Sequence, residues 1–319
     1  MNLLIITKNK RGAFELEERF LQKLKEAAPG VHITATAELQ HDLSEYEIIA
    51  GFPAFMPDIS EAKNLKWIHS FSAGMDKVLT PEIINSKILA SNSAGIHATP
   101  IAEHVLGFLL MFTRGFLSAL RSQLRHEWKG EEDVGELRGK IILIVGLGHI
   151  GEEVARLASV FGANIIATVR NPRDEVPANI SRLETADHLD GLLPEADFVV
   201  ITAPLTTENQ WLFNKDKFKL MKPSAVIINI GRGQIINEAD LIEALRNKTI
   251  AGAGLDVTET EPLPVDSPLW DMENVFITAH YSGLSEKYME RAIDRFCLNL
   301  KVFLEGKELP NLVDKSLGY

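Results

Sequence analysis

The chain has 319 residues, of which 45% are hydrophobic and 24% charged, and its formal net charge is −11. This length suits two globular domains. The acidic balance, without clusters of lysine and arginine, argues against nucleic acid or an anionic membrane as a partner. The single cysteine, Cys297, excludes an intramolecular disulfide. The densest apolar stretch, residues 105–112, is far shorter than a membrane span, so we expect a cytoplasmic protein.

Short apolar segments alternate with helical patterns along the chain. A first series of predicted strands covers residues 3–7, 48–51, 67–71 and 88–90, with a helical pattern over residues 14–27. A second series covers residues 141–145, 165–169, 198–202, 226–230, 252–257 and 275–278. Such alternation is typical of parallel sheets with helices on both faces. The sequence therefore predicts an α/β fold with two doubly wound domains, each Rossmann-like or flavodoxin-like.

Two further helical patterns are rich in apolar residues. The first covers residues 100–127 and is apolar on more than one face, which requires burial on several sides. It is therefore either a core helix of the monomer or a contact between subunits. The second covers residues 286–304, after the last predicted strand.

A glycine-rich turn follows the first strand of the second series. Gly146, Gly148 and Gly151 form the pattern GxGxxG, with His149 and Ile150 at the two variable positions before the last glycine. A helical pattern begins there and a further strand follows. This is the context in which the motif binds a dinucleotide, with the pyrophosphate at the helix N-terminus.

Three chemically suitable residues end or follow strands in the last third of the chain: Arg232, Glu261 and His280. A cation can hold a substrate carboxylate, and a carboxylate beside an imidazole can keep the ring protonated. The protonated ring can then donate a proton to a carbonyl oxygen as hydride arrives. No paired ligand spacing such as HExxH is present among the nine histidines, so no metal is expected.

These motifs, with SAGMDK near residue 75 and the crossing segment SNSAGIHATP, resemble the D-isomer-specific 2-hydroxyacid dehydrogenase family over nearly the whole chain. The resemblance implies a discontinuous substrate domain of residues 1–96 plus 284–319. It also implies a dinucleotide-binding Rossmann domain of residues 97–283, with an active-site cleft between the two domains. The segment 100–127 then packs across a two-fold axis, and a homodimer is expected.

The resemblance also implies roles for individual residues. Arg232, Glu261 and His280 match the family's catalytic positions, and Glu261 rather than Glu259 matches because it directly precedes Pro262. The backbone amides of Ala73 and Gly74 match the loop that grips the substrate carboxylate, which Arg232 and His280 also contact. The remaining matches to cofactor contacts, besides the glycine-rich turn, are Thr99, Ala203, Pro204, Ile230, Gly231, Arg232, Asp256, His280 and Gly283.

The end of the second strand of the Rossmann domain predicts the choice of cofactor. An acidic residue there normally binds the ribose 2′-hydroxyl of NAD, but Val169 takes this position and Arg170 and Arg173 follow. Two arginines suit a 2′-phosphate, unless they are solvated loop charges. The pattern resembles the NADP-using glyoxylate/hydroxypyruvate reductases of the family. We therefore expect NADP, with NAD as the alternative.

The resemblance implies an oxidoreductase of the class EC 1.1.1.-, which reduces a 2-oxoacid to a D-2-hydroxyacid by hydride transfer from NADPH. His280 is then the general acid. One alternative is an NAD(H)-dependent enzyme similar to phosphoglycerate dehydrogenase. Another is a dinucleotide-sensing binding protein similar to the carboxyl-terminal-binding corepressors, which share this fold. The enzyme-length chain, without a disordered tail, favours the enzyme.

Overall fold

The computed structural model describes residues 1–9, 12–38, 42–75, 77–130 and 134–316. The chain divides into two compact units, residues 1–97 with 285–319 and residues 98–284. At both crossings the chain passes between units one residue later than the sequence suggested. Each unit contains one main sheet, and every neighbouring pair of strands in these two sheets is parallel.

Strands and helices alternate along most of the chain. The strands are β1 (Asn2–Ile6), β2 (Lys8–Asn9), β3 (Gly12–Ala13), β4 (His32–Thr36), β5 (Ile48–Gly51), β6 (Trp67–Ser70), β7 (Leu89–Ser91), β8 (Ile141–Val145), β9 (Asn164–Val169), β10 (Arg182–Thr185), β11 (Phe198–Ile201), β12 (Val226–Asn229), β13 (Gly252–Leu255) and β14 (Val275–Ile277). The helices are α1 (Glu18–Ala27), α2 (Pro81–Ile84), α3 (Ala98–Thr113), α4 (Phe116–Leu124), α5 (His149–Val160), α6 (Leu189–Leu192), α7 (Lys215–Leu220), α8 (Glu238–Arg246) and α9 (Tyr288–Leu304).

The first unit is built on a five-stranded sheet in the order β4-β1-β5-β6-β7. Strand β1 is apolar from Leu3 to Ile6 because both faces of this sheet are covered. Leu3 and Ile5 pack into the cluster on one face, whereas Leu4 and Ile6 pack into the cluster on the other. A short antiparallel hairpin of β2 and β3 follows β1.

Helix α9 belongs to the core of the first unit, although it lies at the far end of the chain. The ring of Phe296 lies 5.3 Å from that of Trp67 on β6, measured between centroids. Lys23 on α1 and Asp294 on α9 form an ion pair at 2.6 Å. The first unit is therefore discontinuous in sequence.

The second unit is built on a seven-stranded sheet in the order β10-β9-β8-β11-β12-β13-β14. The direction of winding reverses between β8 and β11. In such sheets, ligands bind outside the carboxyl ends of the strands at this reversal. The expected α/β architecture with two doubly wound units is confirmed, and the reversal marks the region where the predicted glycine-rich turn lies.

Besides the short strands β2 and β3 of the hairpin, two strands of the main sheets were missed by the sequence patterns, namely β4 and β10. Each is an edge strand that pairs on one side only. An edge strand is less buried than a central one, and the sequences HITAT and RLET carry polar residues accordingly. Neither segment contains the continuous apolar run by which the central strands were recognised.

The predicted single helix over residues 100–127 is wrong. Two helices, α3 and α4, are bent by 72° relative to each other. The break occurs at Gly115, whose φ of +67° is left-handed and stops the first helix. Helix α3 packs so closely on β13 that a side chain at Gly254 would lie 3.0 Å from the ring of Phe108. This contact explains both the apolar character of α3 and the glycines of the strand GAGL.

No single helix within the described residues is long and apolar enough to span a membrane, and only the bent pair of α3 and α4 passes that test by length and composition.

Candidate active site

The glycine-rich turn joins β8 to α5, and each glycine has a distinct steric environment. Gly146 has a φ of +100°, and a Cβ atom there would lie 2.7 Å from the Cα atom of Ala203. A Cβ atom at Gly151 would lie 2.8 Å from the carbonyl oxygen of Gly146. By contrast, a Cβ atom at Gly148 would meet nothing within 4 Å. Gly146 and Gly151 are therefore required by the fold, whereas Gly148 leaves space beside the turn.

This space lies at the N-terminus of α5, which begins at His149 and continues through Ile150. The residue before the helix is Gly148, and no side chain caps the helix start. Amide groups of a first helical turn are good donors to an anion. The open position and the uncapped helix therefore fit the pyrophosphate of a dinucleotide.

Arg173 is held against the glycine-rich turn. Its guanidinium forms an ion pair with Glu152 in the first turn of α5, at 2.6 Å, and donates a hydrogen bond to the carbonyl oxygen of Leu147. Arg170 follows Val169 at the end of β9 and pairs with Glu208 at 3.3 Å. Arg173 thus lies beside the turn, and each of the two cations is paired with a carboxylate.

The end of β11 lies against this turn, and the end of β12 lies against the segment that follows β11. The hydroxyl of Thr202, directly after β11, donates to the carbonyl oxygen of Gly146 at 2.6 Å. Ala203 lies so close to the segment after β12 that a Cβ atom at Gly231 would be 2.7 Å from its carbonyl oxygen. The predicted cofactor residues Ala203, Pro204, Ile230 and Gly231 therefore lie in segments that contact the turn or one another.

The conformation at Arg232 is set by Asn229, a fully buried residue that the sequence patterns did not single out. Its side-chain amide donates to the carbonyl oxygen of Arg232 at 2.9 Å and accepts from the amide of Gly231 at 3.1 Å. A Cβ atom at Gly233 would lie 1.9 Å from the carbonyl oxygen of Thr258. The sequence offered one signal for this role of Asn229, namely an asparagine at a strand end three residues before an arginine.

Glu261 and His280 lie next to each other. Oε2 of Glu261 is 2.6 Å from Nδ1 of His280, and their side chains are 36% and 45% exposed. Because a carboxylate only accepts, Nδ1 carries the proton of this hydrogen bond. Nε2 makes no hydrogen bond to the residues that the structure describes. An imidazole held in this way can exchange a proton at Nε2 with a bound molecule.

Glu259, the other candidate carboxylate, is engaged elsewhere. Its Oε1 accepts a hydrogen bond from Nε1 of Trp211 at 2.8 Å, and its Oε2 accepts from the amide of Glu238 at 3.2 Å. The structure thus brings Glu261, not Glu259, to the histidine.

Asp256 is buried at the end of β13, with its side chain 1% exposed. Its carboxylate accepts hydrogen bonds from Thr278, Tyr281 and Ser282. Two other predicted contacts lie in the same unit: Thr99 is in the first turn of α3, and Gly283 follows Ser282.

Ala73 and Gly74 lie in the first unit, in the loop after β6. Nδ2 of Asn92 donates to the carbonyl oxygen of Ala73 at 2.9 Å. The amide of Ser93 donates to the carbonyl oxygen of Ser72 at 3.2 Å. Beneath the loop, the ring of His69 is fully buried between the hydroxyls of Ser91 and Ser93, at 2.7 and 3.2 Å.

The sequence of the second unit matches a known family. Residues 106–282 match the NAD-binding domain of the D-isomer-specific 2-hydroxyacid dehydrogenases.

Curated relatives and solved structures extend this similarity over the chain. A glyoxylate reductase of Thermofilum pendens is 35% identical over 261 residues, which cover 80% of this chain and 77% of that protein. A D-3-phosphoglycerate dehydrogenase of Methanocaldococcus jannaschii is 31% identical over 92% of this chain, but only 57% of the relative is covered. The NADPH-dependent glyoxylate/hydroxypyruvate reductase of Sinorhizobium meliloti, solved with NADP and sulfate, has a TM-score of 0.83 and 28% identity, with 100% of this chain and 99% of that chain covered.

Proposed function

Because this chain belongs to the D-isomer-specific 2-hydroxyacid dehydrogenase family, we propose that it is an NADPH-dependent reductase of small 2-oxoacids such as glyoxylate or hydroxypyruvate. The product is the corresponding D-2-hydroxyacid. The observation that carries the proposal is the hydrogen bond of 2.6 Å between Glu261 and His280, in the unit that also contains the dinucleotide turn.

The cofactor supplies the hydride to C2 of the 2-oxoacid when it is bound. The protein has to supply the proton that the carbonyl oxygen takes up as the C=O bond becomes a C–OH bond. His280 donates this proton from Nε2, while Glu261 accepts a hydrogen bond from Nδ1 and stabilises the charged ring before transfer. Arg232 binds the carboxylate and the carbonyl oxygen of the substrate. The backbone amides of Ala73 and Gly74 are proposed to bind the same carboxylate.

The choice of NADPH over NADH is supported by the two arginines near the turn. Arg170 and Arg173 follow Val169 at the end of β9, where an acidic residue normally binds the ribose 2′-hydroxyl of NAD. The Sinorhizobium meliloti reductase, which is similar over the whole chain, is NADPH-dependent. NADP is therefore the proposed cofactor. It would be held by Gly146, Gly148, Gly151 and the amides of His149 and Ile150, together with Thr99, Ala203, Pro204, Ile230, Gly231 and Gly283.

A homodimer is proposed from the surface of α4. Phe116, Leu120 and Leu124 repeat at a spacing that places them on one side of the helix, and they are 55%, 44% and 73% exposed. An apolar stripe of this kind marks an interaction surface. Light scattering of the wild type should give a dimer, and the double variant Phe116→Glu and Leu124→Glu should give a folded monomer. A wild-type monomer at micromolar concentration would remove this part of the proposal.

A screen of 2-oxoacids with NADPH and NADH tests the activity, by following the absorbance of the reduced nicotinamide. Oxidation of NADPH with glyoxylate or hydroxypyruvate, and a D-configured product, are expected. No oxidation with any 2-oxoacid would overturn the proposal. A second candidate, a phosphoglycerate dehydrogenase, is suggested by the Methanocaldococcus relative. It would instead show reduction of phosphohydroxypyruvate with a preference for NADH.

A further inference from the structure

A chain of hydrogen bonds runs through the ring of His69 in the first unit. Nε1 of Trp67 donates to the hydroxyl of Ser91 at 2.8 Å, and this hydroxyl lies 2.7 Å from Nδ1 of His69. On the other side of the ring, Nε2 lies 3.2 Å from the hydroxyl of Ser93, which donates to the carbonyl oxygen of Ser70 at 3.0 Å. His69 is 0% exposed, so both of its ring nitrogens are satisfied by protein groups.

The register of the sheet creates this chain. His69 on β6 pairs with Ser91 on β7, so their side chains emerge side by side. Side chains two residues apart in a strand lie on the same face of the sheet, which places Trp67 next to this pair. Helix α9 covers the same face, and the ring of Phe296 lies 4.9 Å from that of His69, measured between centroids. The imidazole is therefore enclosed by the sheet and the helix.

Each proton of this chain has one position. Because Ser93 gives its hydroxyl proton to the carbonyl oxygen of Ser70, it must accept the proton of Nε2. Burial lowers the pKa of His69 to about 3, so the ring is neutral and Nδ1 carries no proton. Nδ1 therefore accepts from the hydroxyl of Ser91, which in turn accepts from Trp67. The ring is thus a donor on the side of Ser93 and an acceptor on the side of Ser91.

The segment of Asn92 and Ser93 holds the loop after β6 by its carbonyl groups. The amide of Ser93 donates to the carbonyl oxygen of Ser72, and Nδ2 of Asn92 donates to the next carbonyl oxygen along the loop. In a planar trans peptide the carbonyl and the amide point in opposite directions. Because both carbonyls are turned toward the segment after β7, the amides of Ala73 and Gly74 point away from it. Within the residues that the structure describes, these two amides donate no hydrogen bond, so they can bind an anion.

We propose that His69 is a positioning residue for the loop that binds the substrate carboxylate. Its Nε2 fixes the hydroxyl of Ser93 and thereby the segment that orients the amides of Ala73 and Gly74. His69 acts through Ser93 alone, because a fully buried ring cannot contact the substrate. The proposal rests on the proposed reductase function for its kinetic consequence.

Two amide variants separate the two sides of the ring. The side-chain amide of asparagine reaches about as far as Nδ1 of histidine, and the amide of glutamine, one methylene longer, reaches about as far as Nε2. His69→Asn therefore keeps the contact with Ser91 and loses the contact with Ser93, whereas His69→Gln keeps the contact with Ser93. Trp67→Phe breaks the chain at its far end, where it donates to Ser91, and controls for a general loss of stability.

His69→Asn should raise the KM of the 2-oxoacid and the inhibition constant of oxamate by about tenfold, because the amides that bind the carboxylate lose their orientation. His69→Gln and Trp67→Phe should change both constants by less than about threefold. The kcat and the Kd of NADPH should change less than the KM in His69→Asn, because His280 and the glycine-rich turn are not affected. An unchanged KM in His69→Asn, or an equal increase in His69→Gln, would overturn the positioning role.

A pair of serine variants makes the same comparison without altering the ring. Ser93→Ala removes the acceptor of Nε2 and should raise the KM of the 2-oxoacid by about tenfold. Ser91→Ala removes the hydroxyl on the other side and should lower the melting temperature without this increase in KM. The serine pair provides the test if a histidine variant does not fold. Equal KM values in the two serine variants would overturn the proposal.

Hydrogen exchange of the loop amides, measured without substrate, separates this proposal from the reductase function. The amide of Ser72 donates to the hydroxyl of Ser70 at 3.1 Å, and the amide of Ser93 donates to the loop, so both report its order. Their exchange should be about tenfold faster in His69→Asn than in His69→Gln. Equal rates in these two variants would overturn the positioning role. An inactive wild type with the expected difference in exchange would instead overturn the reductase function and leave the positioning role supported.

Discussion

His280 and Glu261 are nineteen residues apart in the chain and are joined by a hydrogen bond of 2.6 Å between Nδ1 and Oε2. The carboxylate fixes the proton on Nδ1 and leaves Nε2 for a bound molecule. This orientation is what a proton donor to a carbonyl oxygen needs. The neighbouring Glu259 is bound to Trp211 and Glu238 and does not compete for the ring.

His280→Ala should reduce kcat by about two to four orders of magnitude, which is the usual contribution of a general acid. The Kd of NADPH should stay nearly unchanged, because the glycine-rich turn is not affected. Steady-state kinetics and a cofactor titration measure the two effects. A variant that keeps more than about a tenth of the wild-type turnover would remove His280 from the mechanism.

Glu261→Gln should have a smaller effect than His280→Ala. The amide still contacts Nδ1, but it no longer stabilises the positive charge of the ring. The variant should therefore donate the proton more slowly than the wild type, with a kcat between those of the wild type and His280→Ala. Steady-state kinetics of the three proteins measure this order. A kcat equal to that of the wild type would mean that the charge of Glu261 does not act on His280.

NADPH should bind more tightly than NADH because of Arg170 and Arg173. Two charge-assisted contacts to a 2′-phosphate contribute about 3 kcal/mol, which corresponds to about a hundredfold in affinity. The double variant Arg170→Ala and Arg173→Ala should lose this preference. Arg182→Ala, which removes a half-buried arginine paired with Glu195, is the control. Equal affinities of the wild type for both cofactors would contradict our interpretation of the end of β9.

Gly146→Ala should lower the stability of the fold, whereas Gly148→Ala should weaken the binding of NADPH. The added Cβ atom at Gly146 would lie 2.7 Å from the backbone of Ala203, at a φ of +100°, so the folded state should lose about 2 kcal/mol or more. Gly148 has room for a methyl group and a φ of −101°. Its variant should melt as the wild type does and should bind NADPH about tenfold more weakly, since the methyl group enters the space for the pyrophosphate. Unweakened binding by Gly148→Ala would mean that the phosphates lie elsewhere.

The first unit should lose stability in mild acid because of His69, which is buried, and His97, which is half-buried. Burial, with a smaller effect of Arg295, lowers the pKa of His69 to about 3. Burial, with a smaller effect of Arg291, lowers the pKa of His97 to about 4. An unfolded histidine has a pKa of about 6.5. At pH values between about 6.5 and the folded pKa values, the unfolded chain therefore binds more protons than the folded one, and stability falls as the pH falls. Each histidine should account for about 2 kcal/mol between pH 6.5 and pH 5.

His97→Asn tests this pH dependence. The difference in unfolding free energy between pH 6.5 and pH 5 should shrink by about 2 kcal/mol in the variant. His32→Asn, at an exposed position on β4, serves as the control and should leave the difference unchanged. An equal loss in the wild type and in His97→Asn would show that His97 is protonated in the folded protein at pH 5.

The sequence by itself determined the two parallel sheets and the dinucleotide turn. Residues 3–6 of β1 and all residues of β8 are apolar because both faces of each sheet are covered, and this signal lies within a few consecutive residues. The spacing of Gly146, Gly148 and Gly151 between a strand and a helix is equally local. The motifs around Arg232, Glu261 and His280 identified those residues without any contact between them being known.

Only the tertiary structure decided which of these residues contact one another. The edge strands β4 and β10 and the break at Gly115 depend on packing with distant segments, so local patterns did not reveal them. The hydrogen bond from His280 to Glu261 and the burial of Asp256 depend on the register of β13 with β14. No pattern in the sequence pointed to His104, because its partner Thr278 is 174 residues away. Hydrogen bonds between distant segments form only where the sheet aligns its strand ends, and this alignment is a property of the folded chain.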